Sequence, residues 1–309
     1  MARSSSSFSL LSWSTLVVPP LLWAGNFVVG RAVRHDLTPM TLSFWRWVIA
    51  LICLLPFSYM TLRRGWRGYW EQRWLVLRVS VVGVAAFNSL IYLGLRTTTA
   101  NNALLLNSLI PLLIVMLGAC FYHQRLKMNQ YVGLILSFAG VLTLILRGNW
   151  SQWQDIHFVP GDAIVLAAMI CWAFYTLWLR QLPADLDRIG LMSVQIVLAL
   201  IMLLPFYVAE YSAGLRSSWG VVSFSALLYV GIFPSVIAYL LYIQAISRFG
   251  PARAGLTIHL IPVFGVVLSA LFLDERLHAY HAVGIAAIVA GLICSNRSGK
   301  RLNTAPEKK

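Results

Sequence analysis

The segment Ala50-Leu51-Ile52-Cys53-Leu54-Leu55-Pro56-Phe57 returns as Ala199-Leu200-Ile201-Met202-Leu203-Leu204-Pro205-Phe206, with one residue changed. Each copy lies in a run apolar enough to cross a membrane, so the chain is an internal duplication. If each copy holds an odd number of spans, the second must enter the bilayer upside down relative to the first, an arrangement used by many solute carriers. Few other features restrict the possible folds so strongly.

Of the 309 residues, 59% are hydrophobic and only 11% charged, too few polar groups to cover a water-facing surface. Lipid must be the solvent. The net charge of +14 could suggest nucleic acid, so the placement of the charges decides. Lys and Arg cluster in short segments between apolar runs and in the tail Arg297, Lys300, Arg301, Lys308 and Lys309, as the cytoplasmic edge of a membrane protein requires. No soluble basic domain remains to bind nucleic acid. Cys53, Cys120, Cys171 and Cys294 fall inside apolar runs without metal-ligand spacing, and no cofactor or metal is expected. The run from about Leu10 to Gly30 is too long for the apolar core of a signal peptide and reads as the first span.

Ten stretches of about twenty mostly apolar residues begin near residues 10, 39, 74, 99, 129, 161, 189, 219, 251 and 279; they are taken as spans 1 to 10. The longest connection, about Arg147 to Pro160, carries Trp150 and Trp153 and reads as an interfacial loop at headgroup depth. Placing both termini in the cytoplasm puts most of the 24 Lys and Arg on that side. The repeat extends beyond the octapeptide. Trp23-Ala24 and Arg31 match Trp172-Ala173 and Arg180, while Pro111, Arg125-Leu126, Gly133 and Gly140 match Pro262, Arg276-Leu277, Gly284 and Gly291. The expected fold is an all-α polytopic membrane protein of ten transmembrane helices in two inverted five-helix repeats. The first repeat occupies residues 1–147, an extracytoplasmic loop 148–160, the second repeat 161–295 and a basic cytoplasmic tail 296–309.

Polar and aromatic residues at helical spacing inside these runs are the candidates for a passage. Span 1 offers Trp23 and Asn26, and its counterpart span 6 offers Trp172, Tyr175 and Thr176. Span 3 places Asn88 and Tyr92 one turn apart, span 8 aligns Ser235, Tyr239 and Tyr242, and spans 4 and 9 contribute Asn101, Asn102, Asn107, Thr257 and His259. An aromatic beside a hydrogen-bonding group can stack on an aromatic substrate or a delocalised cation while bonding its polar end. The same groups could instead bond a neighbouring helix, and Asn101 and Asn102 could cap span 4. Trp23, Asn26, Asn88, Tyr92, Asn102, Asn107, Trp172, Tyr175, Tyr239 and His259 are the candidate substrate-binding residues. His259, half-way along span 9, could be a proton-sensitive gate, a substrate donor or a neutral packing residue.

Pro111 and Pro262 interrupt backbone hydrogen bonding at equivalent places and are candidate hinges. Arg46 is the one charge well inside a span. It could meet a substrate carboxylate, but its place about two turns from the outer end favours a structural role, its stem reaching toward headgroups or helix-end carbonyls.

The chain has no GxxxxGK[ST] loop, no HExxH, no GxSxG and no pair of membrane-embedded aspartates, so neither an ATPase module nor an intramembrane enzyme has its groups. A channel would also explain many spans. A single chain that builds its own pseudo-symmetric pair around a midplane site fits a carrier better.

Trp23-Ala24-Gly25-Asn26-Phe27, Arg46, Pro111, Pro262 and Asp274-Glu275-Arg276-Leu277 followed by Gly284 and Gly291 together resemble the drug/metabolite transporter superfamily, specifically its ten-span exporters with two EamA-type repeats. The first repeat departs from the pattern, with Gln124-Arg125-Leu126 where the second has Glu275-Arg276-Leu277. The resemblance implies an inner-membrane exporter of small metabolites, nearest the aromatic amino-acid exporters, whose relatives also move other neutral amino acids and the dication paraquat. It further implies a central cavity lined by spans 1, 3, 4, 6, 8 and 9, with spans 5 and 10 set apart. The expected partners are a small-molecule substrate, an amino acid or an organic cation, and the lipid bilayer, with no nucleic acid.

Overall fold

The computed structural model describes residues 10–33, 35–94, 97–98, 100–124, 126–151, 159–183, 185–272 and 277–296. Trp153 and the acidic stretch Asp274-Glu275-Arg276 lie outside them, as do the side chains of Tyr92, Asn101 and Asn102. Among the described residues nine helices are long and apolar enough to cross a membrane, and Ala279–Ser295 forms a further, shorter apolar helix. Span 1 is α1 (Leu10–Ala32) and span 2 is α2 (Pro39–Glu71). Span 3 is built from α3 (Arg73–Val79), a π-helical segment (Ser80–Ala86) and α4 (Phe87–Gly94). Span 4 is α5 (Ala100–Asn107) and α6 (Ile110–Tyr122), and span 5 is α7 (Met128–Ile145).

The second repeat follows the same plan. Spans 6 and 7 are α8 (Pro160–Leu179) and α9 (Arg188–Ser212). Span 8 joins α10 (Val221–Ile232) to α11 (Ala238–Phe249) through a π-helical segment (Phe233–Ile237). Span 9 joins α12 (Pro251–Leu256) to α13 (Leu260–Phe272) through a 3-10 turn (Thr257–His259), and span 10 is α14 (Ala279–Asn296). Spans 3 and 8 thus carry a π segment each, and spans 4 and 9 break just ahead of Pro111 and Pro262. A proline has no N–H and its ring crowds the carbonyl four residues back, which places both breaks at Asn107 and Ile258.

Helix ends inside a membrane need partners for their free N–H groups, and carboxylates supply them. Glu210 of α9 accepts from the backbone N–H of Met40 (3.1 Å) and Thr41 (3.2 Å) at the start of α2, joining the repeats. Asp162 accepts from Val159 N–H at 2.9 Å and from the Thr98 hydroxyl. Asp187 caps α9 through Gly190 N–H at 2.7 Å. A negative group at these positions also offsets the positive end of the helix dipole.

The contacts between helices come in pairs that exchange under the repeat. α1 packs on α11 and α13 of the other repeat, and its counterpart α8 packs on α4 and α6; α2 packs on its own counterpart α9. The two-fold relation is sharpest where α7 meets α14. A Cβ added at Gly133 would lie 2.5 Å from the carbonyl oxygen of Gly291, and one at Gly140 would lie 2.7 Å from that of Gly284. Along the chain 133 to 140 runs upward while 291 to 284 runs downward, so the helices are antiparallel. Because Gly133 corresponds to Gly284 and Gly140 to Gly291, exchanging the repeats turns one contact into the other. Equivalent helices that run in opposite directions make the repeats inverted.

Candidate functional site

The largest side chains of the interior converge where the repeats interlock. Trp172 of α8 stands at the centre, with ring centroids at 5.4 Å to Trp23 of α1, 5.2 Å to Tyr175, and 5.5 and 5.6 Å to Tyr239 and Tyr242 of α11. Trp47 of α2 meets Tyr239 edge-on at 5.4 Å, and Phe87 of α4 lies 4.6 Å from Trp172. All but Phe87 are buried. Edge-to-face and tilted geometries of this kind set the positive rim of one ring against the negative face of the next, so the group is held by more than area.

The π segments position these rings. A π turn leaves backbone carbonyls without their usual helical partners, and each segment gives one to an aromatic donor: Trp23 Nε1–H donates to Pro234 O at 3.2 Å, and the Tyr239 hydroxyl to Gly83 O at 3.3 Å. Gly83 is glycine for a steric reason. A Cβ there would fall 2.1 Å from Cδ2 of Tyr175, so that ring packs directly on the bare backbone. The Thr176 hydroxyl lies 3.1 Å from the Tyr242 hydroxyl, and the Tyr175 hydroxyl 3.5 Å from Gln195 Oε1.

Arg46 belongs to the same group. Only 3% exposed, it donates from Nε to Ser235 Oγ at 2.9 Å, and its guanidinium carbon lies 5.1 Å from the Trp47 ring. Ser235, inside the π segment, in turn donates to Val230 O of α10 at 2.7 Å. The side chain therefore turns inward rather than toward headgroups. Nearby helices α2 and α9 also hold buried groups with no hydrogen-bond partner among the described residues: Ser43 Oγ, Trp47 Nε1, Ser193 Oγ and Gln195 Nε2.

A second locus sits at the breaks of spans 4 and 9. His259 Nε2 is 3.0 Å from Ser108 O, and Nδ1 is 2.7 Å from Ser137 Oγ of α7. A carbonyl can only accept, so Nε2 carries the proton, and in a neutral imidazole Nδ1 then accepts from the serine hydroxyl. Ser108 and His259 are 151 residues apart, the offset that also relates Pro111 to Pro262. The ring thus bonds the residue that occupies its own position in the other repeat. Asn107, Ser108, His259 and Pro262 line a small crevice there, closed by Val141 and Ile145.

Of the residues singled out from the sequence, Trp23, Trp172, Tyr175 and Tyr239 come together, while Asn107 and His259 form the separate second locus with Pro262. Asn26 is half-buried with no hydrogen bond to any described residue. Asn88 spends its amide locally, donating from Nδ2 to Val84 O at 3.0 Å. Pro111 is buried at the start of α6. The sequence pattern did not single out Trp47, and it set Arg46 apart as structural. The pairing of Arg46 with Gln195 at equivalent mid-span positions was the available signal, since polar groups inside spans usually face the bundle. Span 2 therefore contributes to the ring group, and span 5 touches the second locus through Ser137, both beyond what the resemblance implied.

The model of the EamA-like transporter family matches the chain twice, over residues 11–146 and 159–297. The uncharacterized transporter YetK of Bacillus subtilis (strain 168) is 25% identical over 296 residues, covering 96% of this chain and 89% of that one. A probable amino-acid metabolite efflux pump of Escherichia coli (strain K12) is 26% identical over 287 residues, covering 88% of this chain and 90% of that one. A crystal structure at 19% identity superposes with a TM-score of 0.75, covering 98% of this chain and all of the other, and so shares the fold. With both repeats matched almost end to end, the chain belongs to the EamA-like transporter family.

Proposed function

We propose that this small-molecule transporter is a secondary exporter of amino acids with a preference for aromatic ones, working by alternating access in the inner membrane with both termini in the cytoplasm. The observation that carries the reading is the buried ring group built from both repeats, whose members come from helices that would move relative to one another. An indole or phenol can replace a ring–ring contact by a ring–substrate contact of similar worth, so an aromatic side chain is the natural guest. The likeness to a probable amino-acid metabolite efflux pump supports the same class. His259, Pro111 and Pro262 act in this reading at the bending points of spans 4 and 9.

Counterflow in proteoliposomes tests it. Internal unlabelled Phe, Tyr or Trp accelerates uptake of the labelled amino acid through a carrier, whereas a channel shows no such stimulation. Trp172→Ala lowers the stimulated rate by roughly tenfold, the worth of about one good aromatic pair, while Trp172→Phe keeps a measurable share. Full transport by Trp172→Ala, in protein that still elutes as a single folded species, removes Trp172 from the site.

A further inference from the structure

We propose that Arg46 is the carboxylate-binding residue of this site and that its charge excludes organic cations. The inference rests on the amino-acid reading above and narrows it: the substrate must bring a carboxylate, and an aromatic amine or paraquat is turned away.

A guanidinium keeps its charge at any physiological pH and carries five N–H donors. Arg46 uses one of them, on Ser235, and leans on the Trp47 face; its two terminal nitrogens have no hydrogen-bond partner among the described residues. Those nitrogens form the fork that fits a carboxylate with two parallel bonds. Carboxylates of the described spans are otherwise occupied. Glu210, Asp162 and Asp187 each cap a helix N-terminus, and Asp36, Glu71 and Asp185 lie at or beyond helix ends. A buried charge in a membrane is stable only with a counter-charge or water, and among the described residues no carboxylate pairs with Arg46.

The position fits the task. Seven residues into α2 puts Arg46 about 10 Å along the helix axis, beside the rings rather than at the lipid surface. Trp47 and Tyr239 are in mutual contact, and Ser235 lies one turn before Tyr239. A carboxylate on Arg46 therefore leaves the attached side chain among the rings, with its ammonium free to meet their faces. The equivalent position in the second repeat is Gln195, uncharged, so the site has one anion-binding end. For the same reason a dication entering between the rings meets a fixed positive charge in a medium that screens poorly.

The test compares wild type, Arg46→Lys and Arg46→Gln by competition against labelled phenylalanine and, independently, by ligand-induced thermal stabilisation of the purified protein. The ligands are phenylalanine, phenylacetate, phenethylamine and paraquat. The expected result is that phenylalanine and phenylacetate bind to wild type while phenethylamine and paraquat do not. Arg46→Gln raises KM for phenylalanine by about tenfold or more, as loss of a charge-assisted hydrogen bond should, and abolishes the preference for acids over amines. Arg46→Lys, which keeps charge without the fork, falls between them. Transport of phenylalanine that survives Arg46→Gln unchanged, with phenethylamine competing equally, overturns the proposal and leaves the amino-acid reading standing. Binding of phenylacetate but not phenylalanine overturns that reading and supports the role of Arg46. Stabilisation by paraquat alone overturns both.

Discussion

Between α7 and α14 the two repeats touch through glycine backbone, whereas at the ring group they touch through seven large side chains. The glycine contact leaves nothing to rearrange: with a carbonyl oxygen 2.5 to 2.7 Å from where a Cβ would stand, the helices can only stay or separate. The ring group has the opposite character. Each ring has rotatable bonds and several neighbours of similar chemistry, so one contact can be exchanged for another at little cost. Close backbone packing through small residues is how membrane helices hold one another without a hydrophobic driving force. One region therefore clamps the repeats together, and the other holds them through contacts that can be exchanged.

Three substitutions sharpen that contrast, in falling order of effect. Gly140→Leu forces a side chain into the Gly284 backbone and should cost about 3 kcal/mol or more of stability, seen as a large drop in the thermal unfolding temperature of the purified protein. Gly291→Leu, its repeat counterpart, should match it, and a benign outcome for either would deny the clamp. Next comes His259→Ala, which deprives Ser108 O of its imidazole donor and sends the Ser137 hydroxyl back to Leu134 O in its own helix. The expected loss is about 1 to 3 kcal/mol, accompanied by faster exchange in counterflow, because the bond ties spans 4, 5 and 9 together. The smallest effect belongs to Tyr239→Phe. It removes one 3.3 Å hydrogen bond to Gly83 O but keeps the ring, so stability should fall by no more than about 1 kcal/mol, and uptake of labelled phenylalanine should stay close to wild type.

Much of this fold is legible in the chain. The ten span starts fall within two residues of their places from residues 10 to 279, because a run of about twenty apolar residues is an unusually strong signal. The paired prolines Pro111 and Pro262 locate the breaks of spans 4 and 9. The π segments around Gly83 and Pro234 are not legible in the same way, since they depend on contacts such as Trp23 with Pro234 O that cross more than two hundred residues. The inward face of each helix is harder still to read. In water an apolar stripe marks the buried side, but lipid and protein interior are both apolar, so Trp47 and the outward Phe57 look alike in sequence while being fully buried and 67% exposed. Only polar residues break that tie, and although Arg46 and Gln195 stand at matching positions, the closeness of Arg46 to the span end pointed toward headgroups instead.

The bond between His259 and Ser108 bears on energetics as well as packing. In the proposed alternating-access cycle, two identical inverted halves would relate the inward-open and outward-open forms by a two-fold rotation and give them equal free energy. An imidazole that reaches its own counterpart has no reciprocal, because the serine offers no ring to return the bond. A contact of this kind kept in one end state and lost in the other tilts their balance by on the order of 1 kcal/mol, roughly a fivefold preference. A single substitution in a duplicated chain is thus enough to give a symmetric machine a resting position.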